Sequence, residues 1–449
     1  MESTSVATKA KTPKIFYGWW IVAAGCIMQA VSGAFSYYGF SAFFTPLINE
    51  FGWSRAALSG AISVSRLEGG ILALPVGILL DRFGPRKIMF FGIFVTGIGY
   101  MALSQINSLI TFYLVFVILV QGGGSFGFGN AVNVAVANWF RKKRGRAIGI
   151  ITMGLSFGGA AVPLVAWIID NFGWRTAAVV AGLLLWGFGF PLATLVRHRP
   201  QQYGYLPDGD TPPLGTPIST TDVHGADKRQ GGSNAKVVEK SLEEEVSFSP
   251  MQAIRTMAFW SIAMTFAARH LVTGSVAVHL LPYLIQDRSL DATLAATIVG
   301  LMAIIGAPGR VLFGWLGDRT DKRYVMAGCF IFQSVGITAL NLVPGWTGIA
   351  LFLGLYAPTY SGVLPLIPAI QAEYFGPERF GTIRGMMTPV GLVGTVIGPV
   401  FAGYVKDVTG SYGIALTAFA ISNLLALTFI MITRRPKLDV STSPNSEGT

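Results

Sequence analysis

The chain has 449 residues, of which 52% are hydrophobic and only 12% are charged. Soluble domains carry about 25% charged residues, so this composition excludes an ordinary soluble protein and indicates a polytopic membrane protein. The net charge of +11 does not indicate nucleic-acid binding, because the basic residues lie in short segments between apolar runs. The two cysteines, Cys26 and Cys329, fall within apolar runs and predict neither a disulfide framework nor a metal site.

Apolar stretches of the length that a bilayer requires, roughly 20 residues, recur along the chain. The first follows a polar N-terminus and lacks a small-residue cleavage site, so we interpret it as a membrane helix and not as a signal peptide. The sequence predicts twelve spans, at 18–47, 55–80, 88–106, 109–138, 146–170, 174–196, 258–286, 292–316, 323–344, 347–371, 381–405 and 411–433.

The distribution of basic residues predicts the orientation. Three of the 33 Lys and Arg lie inside spans and four lie on one side of the membrane, which leaves 26 (33 − 3 − 4) on the side of the N-terminus. The three are Arg66, Arg269 and Arg310, and the four are Arg55, Arg175, Arg288 and Lys406. The positive-inside rule therefore places both termini in the cytoplasm, and we expect a bacterial inner membrane.

The chain divides into two halves of six helices each. We predict a cytoplasmic tail at 1–17, the first half at 18–196, a linker at 197–257, the second half at 258–434 and a tail at 435–449. The linker contains Pro212-Pro213 and a Ser/Thr/Gly-rich stretch, which predicts a flexible cytoplasmic tether for most of its length. A short amphipathic surface helix is an option within 236–256.

Two short motifs occur once in each half. The run at 77–87 is echoed at 314–323, with Asp81 and Asp318 237 positions apart. The run at 137–146 is echoed at 372–381. Both copies run in the same direction after an even number of helices, so the repeats are parallel and related by an axis along the membrane normal. A cavity between the halves, open alternately to each side, follows from that architecture.

The run at 77–87, Gly-Ile-Leu-Leu-Asp-Arg-Phe-Gly-Pro-Arg-Lys, resembles the cytoplasmic-loop signature of the major facilitator superfamily. The resemblance implies an all-α fold of twelve transmembrane helices in two six-helix halves related by a pseudo-twofold axis along the membrane normal. It also implies a conformational role for the charged residues of both copies, Asp81, Arg82, Arg86, Asp318 and Arg319. The signature carries no information about the substrate.

The stretch 138–149, Asn-Trp-Phe-Arg-Lys-Lys-Arg-Gly-Arg-Ala-Ile-Gly, resembles monocarboxylate transporters. The run at 199–208 is similar to the bacterial oxalate/formate antiporter branch. Arg310, eight residues before Asp318, falls where these transporters place a substrate-binding arginine in helix 8. The chain departs from them in having Gly306 where animal monocarboxylate transporters have Asp, and no Lys in its first helix. The oxalate antiporter pattern uses a second basic residue in helix 11, but this chain has no Lys or Arg between Met386 and Ala402, so the resemblance favours a substrate with a single carboxylate.

Arg310 is the leading substrate-binding candidate. A helix rises about 1.5 Å per residue, so Arg310 lies roughly 12 Å from Asp318, inside the hydrocarbon. A charge at that depth is costly and usually faces a cavity or a partner. A guanidinium binds a carboxylate through two parallel hydrogen bonds. The alternative is that Arg310 braces helix packing.

Other intramembrane polar residues are weaker candidates. Arg269 and His270 are adjacent, so they point about 100° apart on a helix and cannot both face one cavity directly.

Glu68 is the only carboxylate deep inside a predicted span. Glu68 and His270 are the candidates for proton coupling. For Glu68 the alternative is an ion pair with an Arg of another helix, because Arg66 does not share its helix face. His279 is expected to have a structural or gating role.

Polar and aromatic residues of four other helices complete the predicted binding site. They could supply hydrogen bonds to a carboxylate or an apolar wall beside it, although polar groups in membranes more often hold helices together. With Arg310 and Arg269, the predicted site comprises Asn130, Asn133, Tyr38, Phe35, Leu155, Tyr356 and Tyr360.

We therefore expect a secondary active transporter of small monocarboxylates such as lactate or pyruvate, working by alternating access with proton symport and functional as a monomer. The expected partners are the carboxylate, protons and the lipid bilayer. The alternatives are organic-anion exchange of the oxalate/formate type, export of another metabolite or drug, and a non-transporting sensor. An exporter of cations should have more buried acids, and a sensor should have a folded soluble domain. No enzyme constellation and no cofactor or metal motif is present in the sequence, which has only four His.

Overall fold

The computed structural model describes residues 16–37, 39–203, 205–209 and 247–436, and the regular structure within these ranges is helical. Tyr38, one of the predicted binding residues, lies outside the described residues. Most of the predicted linker, at 210–246, also lies outside them.

The first half contains six membrane crossings. The first four are α1 at Gly18–Ser32, α2 at Arg55–Phe83, α3 at Pro85–Leu103 and α4 at Leu109–Trp139. A run of 52 residues follows, Arg144–Leu195. At 1.5 Å per residue it would measure about 78 Å, more than twice the hydrocarbon thickness. It breaks at Gly173, whose φ of 81° favours glycine. We call its two crossings α5, before Gly173, and α6, after it.

The second half contains the other six crossings. They are α7 at Met257–Gln286, α8 at Ala292–Arg319, α9 at Lys322–Leu342, α10 at Gly345–Phe375, α11 at Phe380–Thr409 and α12 at Gly413–Ile432. Within the described ranges, eleven helical segments are long and apolar enough to span a membrane, and the one broken at Gly173 supplies two crossings. The predicted twelve-helix architecture is confirmed.

The apolar core forms three clusters of buried side chains. One fills the first half from Ile21 to Val196, includes the fully buried Trp139 and Phe140, and extends to Ala369, Ala372 and Phe380 of the second half. Two further clusters fill the second half, one around Phe259 and one around Phe352. Large apolar side chains remain exposed on the outer helix faces, as lipid contact requires.

Helix α4 is irregular near its middle. Residues Leu114–Gly122 form a π-helical stretch, and the backbone turns sharply at Phe128, where φ is −119° and ψ is −108°. π-Helical turns inside α-helices are frequent at functional sites. This stretch faces Glu68 of α2, as described below.

The two halves meet closely at one end of the bundle. We call it the basic end: it carries the loops that follow α2, α4, α8 and α10. Pairs of glycines make the approach possible there, because Gly77 lies against the backbone of Gly381 and Gly145 against that of Gly314. A Cβ on any of these four residues would collide with the opposite carbonyl.

Candidate functional site

Both signature aspartates hold the two halves together at the basic end. Asp81 of α2 accepts hydrogen bonds from the backbone N–H of Gly381 (3.0 Å) and Thr382 (2.7 Å), and from the Thr382 hydroxyl (2.7 Å). Asp318 of α8 accepts from the backbone N–H of Gly145 (2.7 Å) and Arg146 (2.9 Å). The two contacts are related by the internal repeat, since each aspartate binds the start of a helix in the opposite half.

The basic residues of the two signatures lie outside these contacts. The guanidinium groups of Arg82, Arg86 and Arg319 lie over aromatic rings of their own helices, at 5.3 Å, 6.0 Å and 4.0 Å from the ring centres. In this conformation the aspartates, and not these arginines, join the halves. A conformational role for the arginines stays a prediction.

Arg310 also connects the two halves. It is 5% exposed, and its Nη1 donates to the carbonyl of Thr152 in α5. Gly149 lies about one helical turn closer to the basic end than Thr152, and it packs against the backbone of Arg310. The Nε atom of Arg310 is buried and has no hydrogen-bond partner among the described residues. The arginine therefore has donor capacity left for a ligand, at the boundary between the halves.

Arg269 lies inside the second half. It is 1% exposed, and its Nη2 donates to the carbonyl of Tyr360 in α10 at 3.1 Å. The rings of Tyr356 and Tyr360 are stacked with centres 5.5 Å apart. Arg269 therefore supports α10, and through it the tyrosine pair.

Unsatisfied hydrogen-bond donors gather in this central region. Within the described part of the chain, the buried polar atoms without a partner include Nε of Arg269, Nε of Arg310 and the hydroxyl of Tyr356. The carbonyl oxygen of the Asn133 amide is also unpaired. Buried polar groups are normally hydrogen-bonded, so the unpaired donors of the two arginines and Tyr356 fit a ligand that offers acceptors.

Glu68 lies apart from the arginines, between α2 and α4. Its Oε1 points at Gly122, the last residue of the π-helical stretch, where an added Cβ would lie 3.0 Å from it. Its Oε2 is buried without a hydrogen-bond partner, and none of the ion pairs among the described residues involves it. The sequence left two interpretations of Glu68, an unpaired carboxyl that carries a proton and an ion pair with an Arg of another helix. This placement favours the unpaired carboxyl.

The two histidines of α7 both face α11. Nδ1 of His270 is 3.3 Å from the Thr395 hydroxyl, and the Phe266 ring packs on it edge-on at 4.2 Å. His279 donates from Nε2 to the Pro399 carbonyl at 2.9 Å and lies 3.3 Å from the Tyr412 hydroxyl. Arg269 and His270 thus point to different neighbours, α10 and α11.

The remaining predicted residues occupy three places. Asn133 is 7% exposed within α4, whereas Asn130 lines a cavity between the halves near the basic end. Phe35 packs edge-on against Tyr100, with ring centres 6.4 Å apart. Leu155 contacts Gly33 where α5 meets the end of α1. The structure thus groups Arg310, Arg269 and the tyrosine pair, and it places Asn130 nearer the basic end.

One cation was missed in the sequence. Our count grouped Arg384 with the loop residues, but it is the fifth residue of α11 and lines the same cavity as Asn130. Its Nη1 donates to Oε1 of Gln371 at 3.3 Å. The signal was available, because Arg384 falls within the predicted span 381–405.

The beginning of the predicted linker is docked on the first half. Asp208 accepts hydrogen bonds from the backbone N–H of Arg141 (2.9 Å), Lys142 (2.6 Å) and Lys143 (3.1 Å). The Arg197 guanidinium lies over the rings of Tyr17 and Tyr203, at 3.9 Å and 4.2 Å. The described residues 197–203 and 205–209 are therefore attached to the first half beside the loop that precedes α5, and the flexible description does not apply to them.

With this geometry established, similarity to known proteins identifies the family. Residues 26–358 and 280–448 match the family model of the Major Facilitator Superfamily. The chain belongs to this superfamily. It is 25% identical over 400 residues to the gallate transporter of Pseudomonas putida, covering 86% of this chain and 85% of that protein. It is 25% identical over 438 residues to monocarboxylate transporter 13 of Bos taurus, covering 95% and 92%.

The fold comparison agrees. The solved structure of the proton:xylose symporter XylE matches with a TM-score of 0.70 at 14% identity, over 93% of this chain and 96% of that one. This major facilitator protein is therefore a multi-pass membrane transporter of a small molecule and not an enzyme.

Proposed function

We propose that this transporter carries small monocarboxylates by alternating access, with a proton as the coupled ion. The observation that supports the proposal most is Arg310, a buried cation between the two halves with an unused donor. A single guanidinium matches a single carboxylate in charge and in hydrogen-bond geometry. The relatives support the same class, since gallate is itself a carboxylate and the other relative is named for monocarboxylates.

The orientation follows from charge. The loops of the basic end carry most of the Lys and Arg, so we place this end and both termini in the cytoplasm of a bacterial inner membrane. The contacts of Asp81 and Asp318 then close the transporter toward the cytoplasm. One chain supplies both halves of the route, so the proposed transport unit is a monomer.

Proton coupling has an electrostatic reason. Arg310 with a bound carboxylate is neutral. A proton on a buried carboxylate would make that group neutral too, and a neutral loaded carrier changes conformation at lower cost than a charged one. Glu68 is the preferred proton carrier, because its second oxygen is buried without a partner beside the π-helical stretch of α4. His270 is the other candidate, since its ring contacts Thr395 of α11 as well as Phe266 of its own helix.

Transport into proteoliposomes tests the proposal. Labelled lactate, pyruvate, gallate, formate and oxalate are offered with and without a pH gradient, acid outside. We expect a monocarboxylate to accumulate only when the gradient is imposed. Uptake that ignores the gradient but requires an internal anion would refute symport and establish exchange.

Exchange of organic anions is the second candidate, and Arg384 is the observation that favours it. A dicarboxylate needs two cations, and Arg384 provides a second one between the halves. The assay distinguishes the two, because exchange of oxalate for formate would proceed without a pH gradient.

A further inference from the structure

Arg384 occupies a cavity between the two halves that the binding site around Arg310 does not use. The cavity is bounded by α2 and α4 of the first half and by α11 of the second. Its polar side chains are Arg384, Asn130 and Thr388. The Thr388 hydroxyl already donates to the Arg384 carbonyl within α11, at 3.0 Å. Arg384 and Asn130 are thus the groups available to a ligand.

The charge of Arg384 is poorly compensated. The hydrogen bond to Gln371, at 3.3 Å, is long for a charged donor and goes to a neutral amide. None of the side chains that line the cavity is a carboxylate. The nearby Asp81 is committed to Gly381 and Thr382. A cation enclosed between helices is costly without an anionic partner.

The position of the cavity suggests what the partner is. Arg384 is three residues from Gly381, which the Asp81 contact holds, so it lies about 4.5 Å along α11 from that contact. Arg310 is eight residues from Asp318, about 12 Å along α8. Arg384 is therefore several Å closer to the basic end than Arg310. A substrate leaving Arg310 toward that end passes Arg384.

We propose that Arg384 and Asn130 form an inner carboxylate subsite, distinct from the Arg310 site and used on the cytoplasmic side of the transport cycle. The closed Asp81 contact covers it in the present conformation. When the basic end opens, the subsite receives the carboxylate from Arg310 before release, or first captures a carboxylate entering from the cytoplasm. This inference rests on the proposed function.

The test measures affinity separately from each side of the membrane. Arg384→Gln is assayed in right-side-out and inside-out vesicles, with the monocarboxylate that the wild-type protein transports. We expect the apparent KM at the cytoplasmic face to rise about 10-fold or more, because one charge-assisted hydrogen bond there is lost. The apparent KM at the outer face should stay within about 2-fold, because Arg310 is intact.

The matched control is Arg434→Gln, which removes an exposed arginine beyond the end of α12 and should change neither KM. Arg384→Lys should recover part of the cytoplasmic-side affinity, and Asn130→Ala should repeat the one-sided loss if Arg384→Gln does not fold. An equal change at both faces, or none at either, would overturn the subsite. A wild-type protein that transports no carboxylate from either face would instead overturn the proposed function, and the subsite with it.

Discussion

Arg310 binds the Thr152 carbonyl, and under the proposed function a substrate carboxylate would compete for it. A bound carboxylate would offer charge that the carbonyl lacks, so Arg310 should bind it more strongly. We predict that Arg310→Ala lowers carboxylate affinity by about 100-fold, equivalent to roughly 2.7 kcal/mol for the loss of a charged pair of hydrogen bonds. Arg310→Lys should lower it by at least about 10-fold, because an ammonium lacks the planar pair of donors.

Equilibrium binding to the purified protein measures both effects. The control is again Arg434→Gln, which removes an equal charge from an exposed position. Normal carboxylate binding by Arg310→Ala would assign Arg310 to helix packing alone.

Glu68 can be separated from substrate binding. If it carries the proton, Glu68→Gln fixes the neutral form and should abolish accumulation driven by a pH gradient. Exchange of labelled for unlabelled substrate should continue, because that process needs no net proton movement. His270→Gln is the parallel variant, and loss of gradient-driven uptake there, with normal uptake in Glu68→Gln, would transfer the role to His270.

At the scale of single residues, the sequence was informative where the type of residue alone marks it as unusual. A charge in an apolar run is visible without a structure, which is why Arg310 and Glu68 could be selected. The partners of these residues were not visible, because the Thr152 carbonyl and Gly122 come close only through packing between helices. Arg384 was missed for a different reason: it lies so near the end of its span that it counts as a loop cation.

Among the elements, the segment 197–209 shows most clearly what the sequence could not provide. Its proline and glycine content is typical of a linker, but its aromatic rings and Asp208 fit the loop before α5. Burial, with Arg199 nearby, lowers the pKa of His198 in this segment to about 4. His198 is therefore neutral when docked, as a buried position requires.

We predict that Asp208→Asn destabilises this loop. The carboxylate accepts three backbone hydrogen bonds, and an amide offers one neutral oxygen in place of two charged ones. The melting temperature should fall by several degrees, and cleavage of the Arg141–Arg144 region by trypsin should become faster. Asp170→Asn, which removes an exposed carboxylate of α5, is the matched control. Equal trypsin resistance in Asp208→Asn and the wild type would contradict a docked segment.

The same loop connects the segment to the contact between the halves. Asp208 holds residues Arg141 to Lys143 from one side, and Asp318 holds Gly145 and Arg146 from the other. One loop therefore contacts both Asp208 and the aspartate that closes the basic end. This shared contact could not be read from the sequence, because the two aspartates are 110 positions apart, one in the linker and one in the second half.

For the whole molecule, the two-half repeat predicted the architecture correctly, since twelve apolar spans and two copies of one loop motif allow few alternatives. The conformation was beyond the sequence, because the same twelve apolar spans are compatible with a cavity open to either side. In the present state the halves are joined by the two aspartate contacts at the basic end and by the contact of Arg310 with Thr152. The partner of Asp81 was also beyond the sequence, since it binds the start of α11 across the interface.

The two contacts should therefore stabilise the state closed at the basic end, each independently of the other. We predict that Asp81→Asn and Asp318→Asn each raise the open population on the order of 10-fold, and that the double variant combines both effects. The measurement is labelling by an impermeant maleimide of a cysteine introduced at Thr388, after removal of Cys26 and Cys329. Asp287→Asn is the control, because Asp287 binds Lys406 (2.5 Å), Ser411 (2.9 Å) and Tyr412 (2.8 Å) within one half. Unchanged labelling in the double variant, or an equal increase in Asp287→Asn, would mean that other contacts keep the basic end closed.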